Sequence, residues 1–165
     1  MRKTRISRTL KERIAKEAQH RCGYCHTREA ISGIPLTIEH IIPESAGGTS
    51  ELENLWLACR SCNEFKGAQT HALDRLTGRK VRLFNPRKQK WKCHFEWSTD
   101  GIRIIGKTDC GRATIIALQM NHAMIVIARR HWVVAGWHPP KDDVKKKENG
   151  NSNFKHRRII FRGRD

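Results

Sequence analysis

No apolar run in the 165 residues approaches the roughly 20 that a membrane helix requires, so a membrane-spanning protein is not expected. The N-terminus, MRKTRISRTLKERIAKE, lacks the apolar stretch of a secretory signal, which points to a cytoplasmic protein. No internal repeat is present. Acidic residues are scarce, with 16 Asp+Glu against 33 Lys+Arg and a formal charge of +17. The scarcity is uneven. Residues 1–75 hold 9 acidic and 12 basic groups, residues 76–140 hold 3 and 12, and residues 141–165 hold 4 and 9. Such an excess favours a polyanionic partner, because Lys and Arg contacts to phosphates release condensed counterions. No strongly amphipathic basic helix stands out, which turns the choice from an anionic membrane to nucleic acid. Apolar residues make up 38%, enough for a modest core in one domain, or one domain with an appendage.

In a reducing compartment six cysteines read as thiols or metal ligands. Four of them form two pairs, Cys22-x2-Cys25 and Cys59-x2-Cys62, with 33 residues between. A two-residue gap lets both thiolates of a pair reach one ion, and two pairs complete a tetrahedron. Four sulfurs close the coordination sphere, so the expected ion is a structural zinc. The gap between the pairs exceeds that of a simple zinc ribbon, so something sizeable must fit inside it. Cys93 and Cys110 have no such partner and are expected as buried free thiols.

Ser7 or Thr9 can cap a helix over about 9–20, with Leu10, Ile14 and Ala18 on one face. Residues 36–42 are apolar and β-branched and read as a strand ended by Pro43; residues 55–58 read as a second strand. A helix should open at Cys62 and run to about Leu73. Gly78 marks a boundary. Beyond it come a short strand near 81–84 and a hairpin of 92–97 with 102–106 around Asp100-Gly101. Helices follow at about 113–119 and 122–135, with Asn121 as the cap between them.

Between the thiol pairs stand Ile38-Glu39-His40-Ile41-Ile42-Pro43, Gly47-Gly48 and Glu53-Asn54-Leu55, and the second pair continues as Cys62-Asn63-x2-Lys66. This pattern resembles the HNH, or ββα-metal, endonuclease family in its tetracysteine branch, over residues 22–67. Glu39 stands where Asp is frequent, and Asn63 replaces the final His of the family name. The resemblance implies hydrolysis of DNA phosphodiesters to 5′-phosphate and 3′-hydroxyl ends. It makes His40 the general base, gives Glu39 and Asn63 a catalytic Mg²⁺ or Mn²⁺, and leaves Asn54 to orient the imidazole or the hairpin.

The chemistry supports those roles. Phosphodiester hydrolysis needs an activated water, neutralisation of the phosphorane's added charge and help for the departing alkoxide. An imidazole, with an ordinary pKa near 6.5, takes a proton from water at neutral pH. Two oxygen ligands suit a hard divalent ion that keeps waters and accepts phosphate oxygens. Neighbouring strand residues face opposite ways, so Glu39 and His40 can meet at one phosphate only where the strand bends or ends.

In residues 79–97 basic side chains interleave with aromatics. Arg87, Lys88, Lys90 and Lys92 are candidates for tracking a phosphate backbone, as is Lys66 in the first half. Trp91, Phe95 and Trp97 would share one strand face and are expected in the core; His26 and His71 are expected at the surface. The stretch from Leu83 to Trp132 is also similar to the basic C-terminal extension of stand-alone bacterial HNH proteins.

The fold class expected is therefore α+β: a small zinc-stabilised ββα-metal core with an appended hairpin and helices. The domain plan is an N-terminal helix at 1–21, a nuclease core at 22–75, a basic DNA-binding extension at 76–140 and a mobile basic tail at 141–165. The expected partner is double-stranded DNA, with RNA as the alternative. One such site cuts one strand, so a monomer should nick and a homodimer could break both strands. The rival readings are a non-catalytic zinc-knuckle nucleic-acid binder and an RNA- or structure-selective nuclease.

Overall fold

The computed structural model describes residues 6–144. Helix α1, Arg8–Glu17, is capped by the Ser7 hydroxyl, which accepts from the Leu10 N–H. It stops short of residue 20 because Gln19 and His20 take positive φ. Its buried face, Ile14 with the following Ala18, packs on Leu55 and Leu57. After the first thiol pair comes a single helical turn, α2, Glu29–Ser32.

Strand β1, Thr37–His40, pairs antiparallel with β2, Leu55–Ala58, in the register Thr37↔Ala58 and His40↔Leu55. The expected strand over 36–42 is cut short by Asn54. The Asn54 side chain accepts from the Ile42 N–H at 2.8 Å and donates to the carbonyls of Ile42 and Thr49, so it holds the chain in a loop. Gly48 lies against this knot: a Cβ there would collide with the Ile42 carbonyl and crowd the Asn54 amide.

Helix α3, Arg60–Lys66, completes a β1–β2–α3 unit. It ends at Gly67 (φ 49°), which is why it falls short of Leu73. Residues His71–Leu73 instead form β3, paired with β4, Lys80–Arg82, and the expected boundary at Gly78 is the turn of this hairpin. Asp74, at the hairpin's end, accepts two bonds from the Arg112 guanidinium, which holds its carboxyl well below the usual range.

The second half holds a helical turn α4, Trp91–His94, the hairpin β5, Phe95–Trp97, with β6, Ile104–Gly106, and helices α5, Asp109–Ala117, and α6, Ala123–Val134. The hairpin around Asp100-Gly101 is present, but its first strand starts three residues later than expected. His122, not Asn121, caps α6. Asn121 is spent on β6, bonding both the N–H and the carbonyl of Ile104.

Among the described residues, helices and three two-stranded antiparallel sheets make an α+β fold. Among the described residues no helix is long and apolar enough to cross a membrane. One buried cluster takes Cys22, Tyr24, Cys25, Ala58 and Cys62 from the first half, and Leu83, Phe84, Trp91, Phe95, Ile104, Leu118 and Met120 from the second. Trp91 and Phe95 are thus core residues, and Trp97 packs against them. The Trp91 indole N–H donates to the Tyr24 carbonyl at 2.7 Å, tying the second half to the first thiol pair.

The expectation of a mobile tail falls on 145–165, outside the described residues; residues 141–144 are described. There Asp142 and Asp143 bond Arg21, Arg28 and His26. His26 is accordingly buried, stacked on Trp91 at 4.4 Å, which corrects its expected surface position.

Candidate functional site

The turn after α1 and the start of α3 bring four thiols together. Gly23 N–H donates to the Leu57 carbonyl, and His26 N–H closes the turn on the Cys22 carbonyl, so the first pair lies beside β2. Cys59 caps α3, and its sulfur accepts from the Cys62 N–H at 3.4 Å. The four Sγ atoms lie within 4.8 Å of one another, with Cys25 and Cys59 3.7 Å apart. A regular tetrahedron with bonds near 2.3 Å has edges of about 3.8 Å. Hydrogen bonding among the sulfurs, Cys22 first, pulls the Cys25 thiol well below its ordinary value, while burial pushes Cys22 up. Four sulfurs with no open position fit a structural zinc. Cys93 is exposed and Cys110 half-buried, so neither is the fully buried thiol expected.

Between the thiol pairs, β1 sorts its side chains by face. Thr37 and Glu39 point to α3. The Asn63 amide donates to the Thr37 hydroxyl at 3.2 Å, and the Lys66 ammonium pairs with Glu39. Both charged side chains are only 2% exposed. Lys66 also donates to the His40 carbonyl at 3.0 Å. The expected phosphate contact of Lys66 is therefore corrected: its reach from α3 ends inside the unit, on Glu39. Burial raises the Glu39 carboxyl, with Lys66 opposing. The second Glu39 oxygen, Oε2, is buried and has no partner.

That orphaned acceptor and the Asn63 amide, on one face, fit a hard divalent ion in their donor chemistry, provided the ion shares Glu39 with Lys66 or displaces it. The pair itself is testable. Lys66→Met leaves a buried carboxylate alone and is expected to cost about 3–5 kcal/mol in denaturant unfolding without added divalent metal. The double variant E39Q/K66M, which removes both charges, should recover most of that loss.

His40 faces the other way. Its Nε2 lies 2.9 Å from the Ser50 hydroxyl, which donates to Glu44 at 3.2 Å. The ring opens on a groove of about 800 Å³ bordered by α1, with Lys11, Glu12, His20 and Glu44 in its lining. The structure thus joins Glu39, Asn63 and Lys66 on one face and sets His40 with Ser50 and Glu44 on the other. Alternation persists to the end of β1, and the bend comes only after it. Asn54 holds the loop rather than the imidazole. Glu44 lies four residues beyond His40, a spacing that could have flagged it; nothing local marks Ser50.

Arg87 is also not a free phosphate contact. Its guanidinium bonds the Leu55 carbonyl and Glu17 and lies over Trp56 at 4.6 Å, clamping α1 to β2. Lys88, Lys90 and Lys92 are exposed. Lys88 lines a second groove, about 620 Å³, together with Ile42, Ala46, Lys66, His71 and Arg82. This groove reaches the Lys66 side of β1 and is bordered by cations from the second half.

The model of a family described as HNH endonuclease matches residues 22–69, the segment from the first thiol pair to just past α3. No curated protein and no solved structure gives a significant match. The segment and its clustered thiols agree with the tetracysteine branch of that family.

Proposed function

We propose that this protein is a metal-dependent endonuclease that hydrolyses double-stranded DNA, cutting one strand per site. The matched family supports a nuclease-type function. The observation that carries the finer reading is the β1–β2–α3 unit. It turns an orphaned Glu39 oxygen toward α3, the helix that carries Asn63, and at the next residue presents a histidine held by its own hydrogen-bond chain.

The contact at Nε2 supports a distinct role for each His40 nitrogen. With Nε2–H donating to Ser50, and Ser50 donating to Glu44, the Nδ1 lone pair is left to take a proton from the attacking water. The Glu44 charge, relayed by Ser50, stabilises the imidazolium that forms. Glu39 and Asn63 would hold Mg²⁺ or Mn²⁺, which when bound supplies Lewis acidity to the phosphate and the leaving 3′ oxygen. A scissile phosphate served by both faces would have to sit at the end of β1, where they meet, with the Glu39–Lys66 pair opened to the ion. Arg82, Lys88, Lys90 and Lys92 hold the flanking backbone, which sequence-independent phosphate contacts suffice to do. Six cysteines with no disulfide fit a cytoplasmic setting.

Ser50→Ala breaks the relay and is expected to slow cleavage about tenfold, the worth of one hydrogen bond, without changing DNA affinity. Equal single-turnover rates for the two proteins would remove Ser50 from the mechanism.

One observation favours a second reading. Glu39 is closed off by Lys66, as a non-catalytic zinc protein that only binds nucleic acid would have it. Labelled duplex, single-stranded DNA and RNA, mixed in one reaction with Mg²⁺ or Mn²⁺, separate the readings. Preferential loss of duplex is expected. Preferential loss of RNA would make this an RNase, and retention of all three on a protein that binds them would leave the binder.

A further inference from the structure

Arg129 is the largest of the fully buried side chains, with no exposure at all. It stands in α6 three residues after Val126, on the helix face turned inward. Nη1 donates to the Asn121 amide oxygen at 3.2 Å, and the guanidinium lies over the Trp97 ring at 5.1 Å. Nε and Nη2 are buried and have no partner. Among the described residues no carboxylate pairs with it. A buried cation in this state costs several kcal/mol unless some other negative charge is close. Its neighbours on α6, Ile125 and Ala128, line one groove with Thr27 and Cys59, so the helix runs beside the thiol cluster, whose sulfurs oppose the effect of Arg129's burial. Burial and then the Arg129 charge hold His138 down to about 4, so the cation is felt on that side as well.

A zinc ion bound by four thiolates leaves a net charge of about −2 inside the same core cluster. Trp97, under the guanidinium, packs against that cluster. We infer that Arg129 is the counter-cation of the four-thiolate zinc site, acting on it through its charge. The partner that Arg129 lacks among the carboxylates is the metal centre itself. Helix α6 thereby belongs to the zinc site, although it lies 67 residues beyond Cys62 in the chain, counted to Arg129. The inference rests on zinc at the four thiols and does not depend on the nuclease reading.

The test is zinc affinity of the full chain, measured at constant neutral pH by competition with a chromophoric chelator. Wild type should hold one zinc. Arg129→Met keeps the length and apolar stem without the charge, and is expected to bind zinc at least about tenfold more weakly, as loss of an outer-sphere partner does. Arg129→Lys keeps the charge and should recover most of that loss. If R129M is unfolded at low zinc, excess zinc should restore its melting transition, because binding to the folded state alone stabilises it. Wild-type affinity in R129M, equal losses in R129M and R129K, or an unfolded R129M indifferent to zinc would each overturn the inference. A wild-type protein without zinc would overturn the metal site and the inference together.

Discussion

His40→Ala is expected to lower the single-turnover cleavage rate by about 10²–10⁴-fold, the range for removal of a general base, while DNA affinity stays unchanged. The expectation follows from where the side chain sits. His40 is the last residue of β1, and its ring contributes nothing to the buried clusters, so its loss leaves the fold intact. Its hydrogen bonds run to Ser50 and through it to Glu44, two half-exposed or exposed residues with no packing role in the core. A residue in that position affects the chemistry and little else. His40→Gln, which keeps a hydrogen bond to Ser50 but cannot accept the proton, should be nearly as slow as alanine. If either variant cleaved at the wild-type rate, the base would have to be sought elsewhere, with His20 across the α1 groove as the next candidate.

Cys22→Ser should abolish the folded state, not merely weaken the protein. Zinc–thiolate binding in small domains is worth about 10–16 kcal/mol at neutral pH, more than the whole stability of most domains of this size. Cys22 is fully buried and belongs to the cluster that joins both halves of the chain, so its loss removes a ligand and unseats the core around Tyr24, Trp91 and Phe95. The expected result is a protein whose circular dichroism and near-ultraviolet signals show no cooperative melting, while wild type treated with a strong chelator behaves likewise. A soluble, cooperatively folded, zinc-free Cys22→Ser protein would contradict the structural role given to the metal.

Much of this was legible in the sequence, and the reasons differ by element. The thiol pairs were readable because ligand spacing is set by bond length, and the structure brings all four sulfurs together. β2 and the Asp100-Gly101 hairpin were readable because short β-branched or aromatic runs beside turn residues leave few alternatives. The lengths of β1 and α3 were not. β1 ends where a side chain twelve residues along the chain, Asn54 acting on Ile42 from beyond the loop, replaces the ladder, and α3 ends in a glycine conformation that the helical pattern ran past. The β3–β4 hairpin was hidden because one of its strands reads as a helix tail and the other as an isolated strand.

The candidate site divides the same way. Its residue types were readable, but their partners were not. Lys66 and Arg87 looked like surface cations because a sequence records charge without recording direction; one turns in to Glu39 and the other clamps Leu55 to Glu17. Arg129 shares α6 with Arg130 and His131 in a helix of otherwise apolar residues, and its place on the buried face, three residues after Val126, was the one local hint of its role. The helix gives no sign of the sulfurs that act on it, because those come from the other half of the chain.

The claim that ties these parts together is that one zinc-framed unit cuts DNA with His40. Supercoiled plasmid is its most direct test. Zinc-loaded wild type and His40→Ala are incubated at equal, near-saturating DNA occupancy with Mg²⁺ or Mn²⁺, and the conversion to nicked circles is followed in time. The account predicts metal-dependent nicking by wild type, with nicked circles preceding linear product, and next to none by the variant. Plasmid that stays supercoiled with both proteins, although both bind it, would contradict the account.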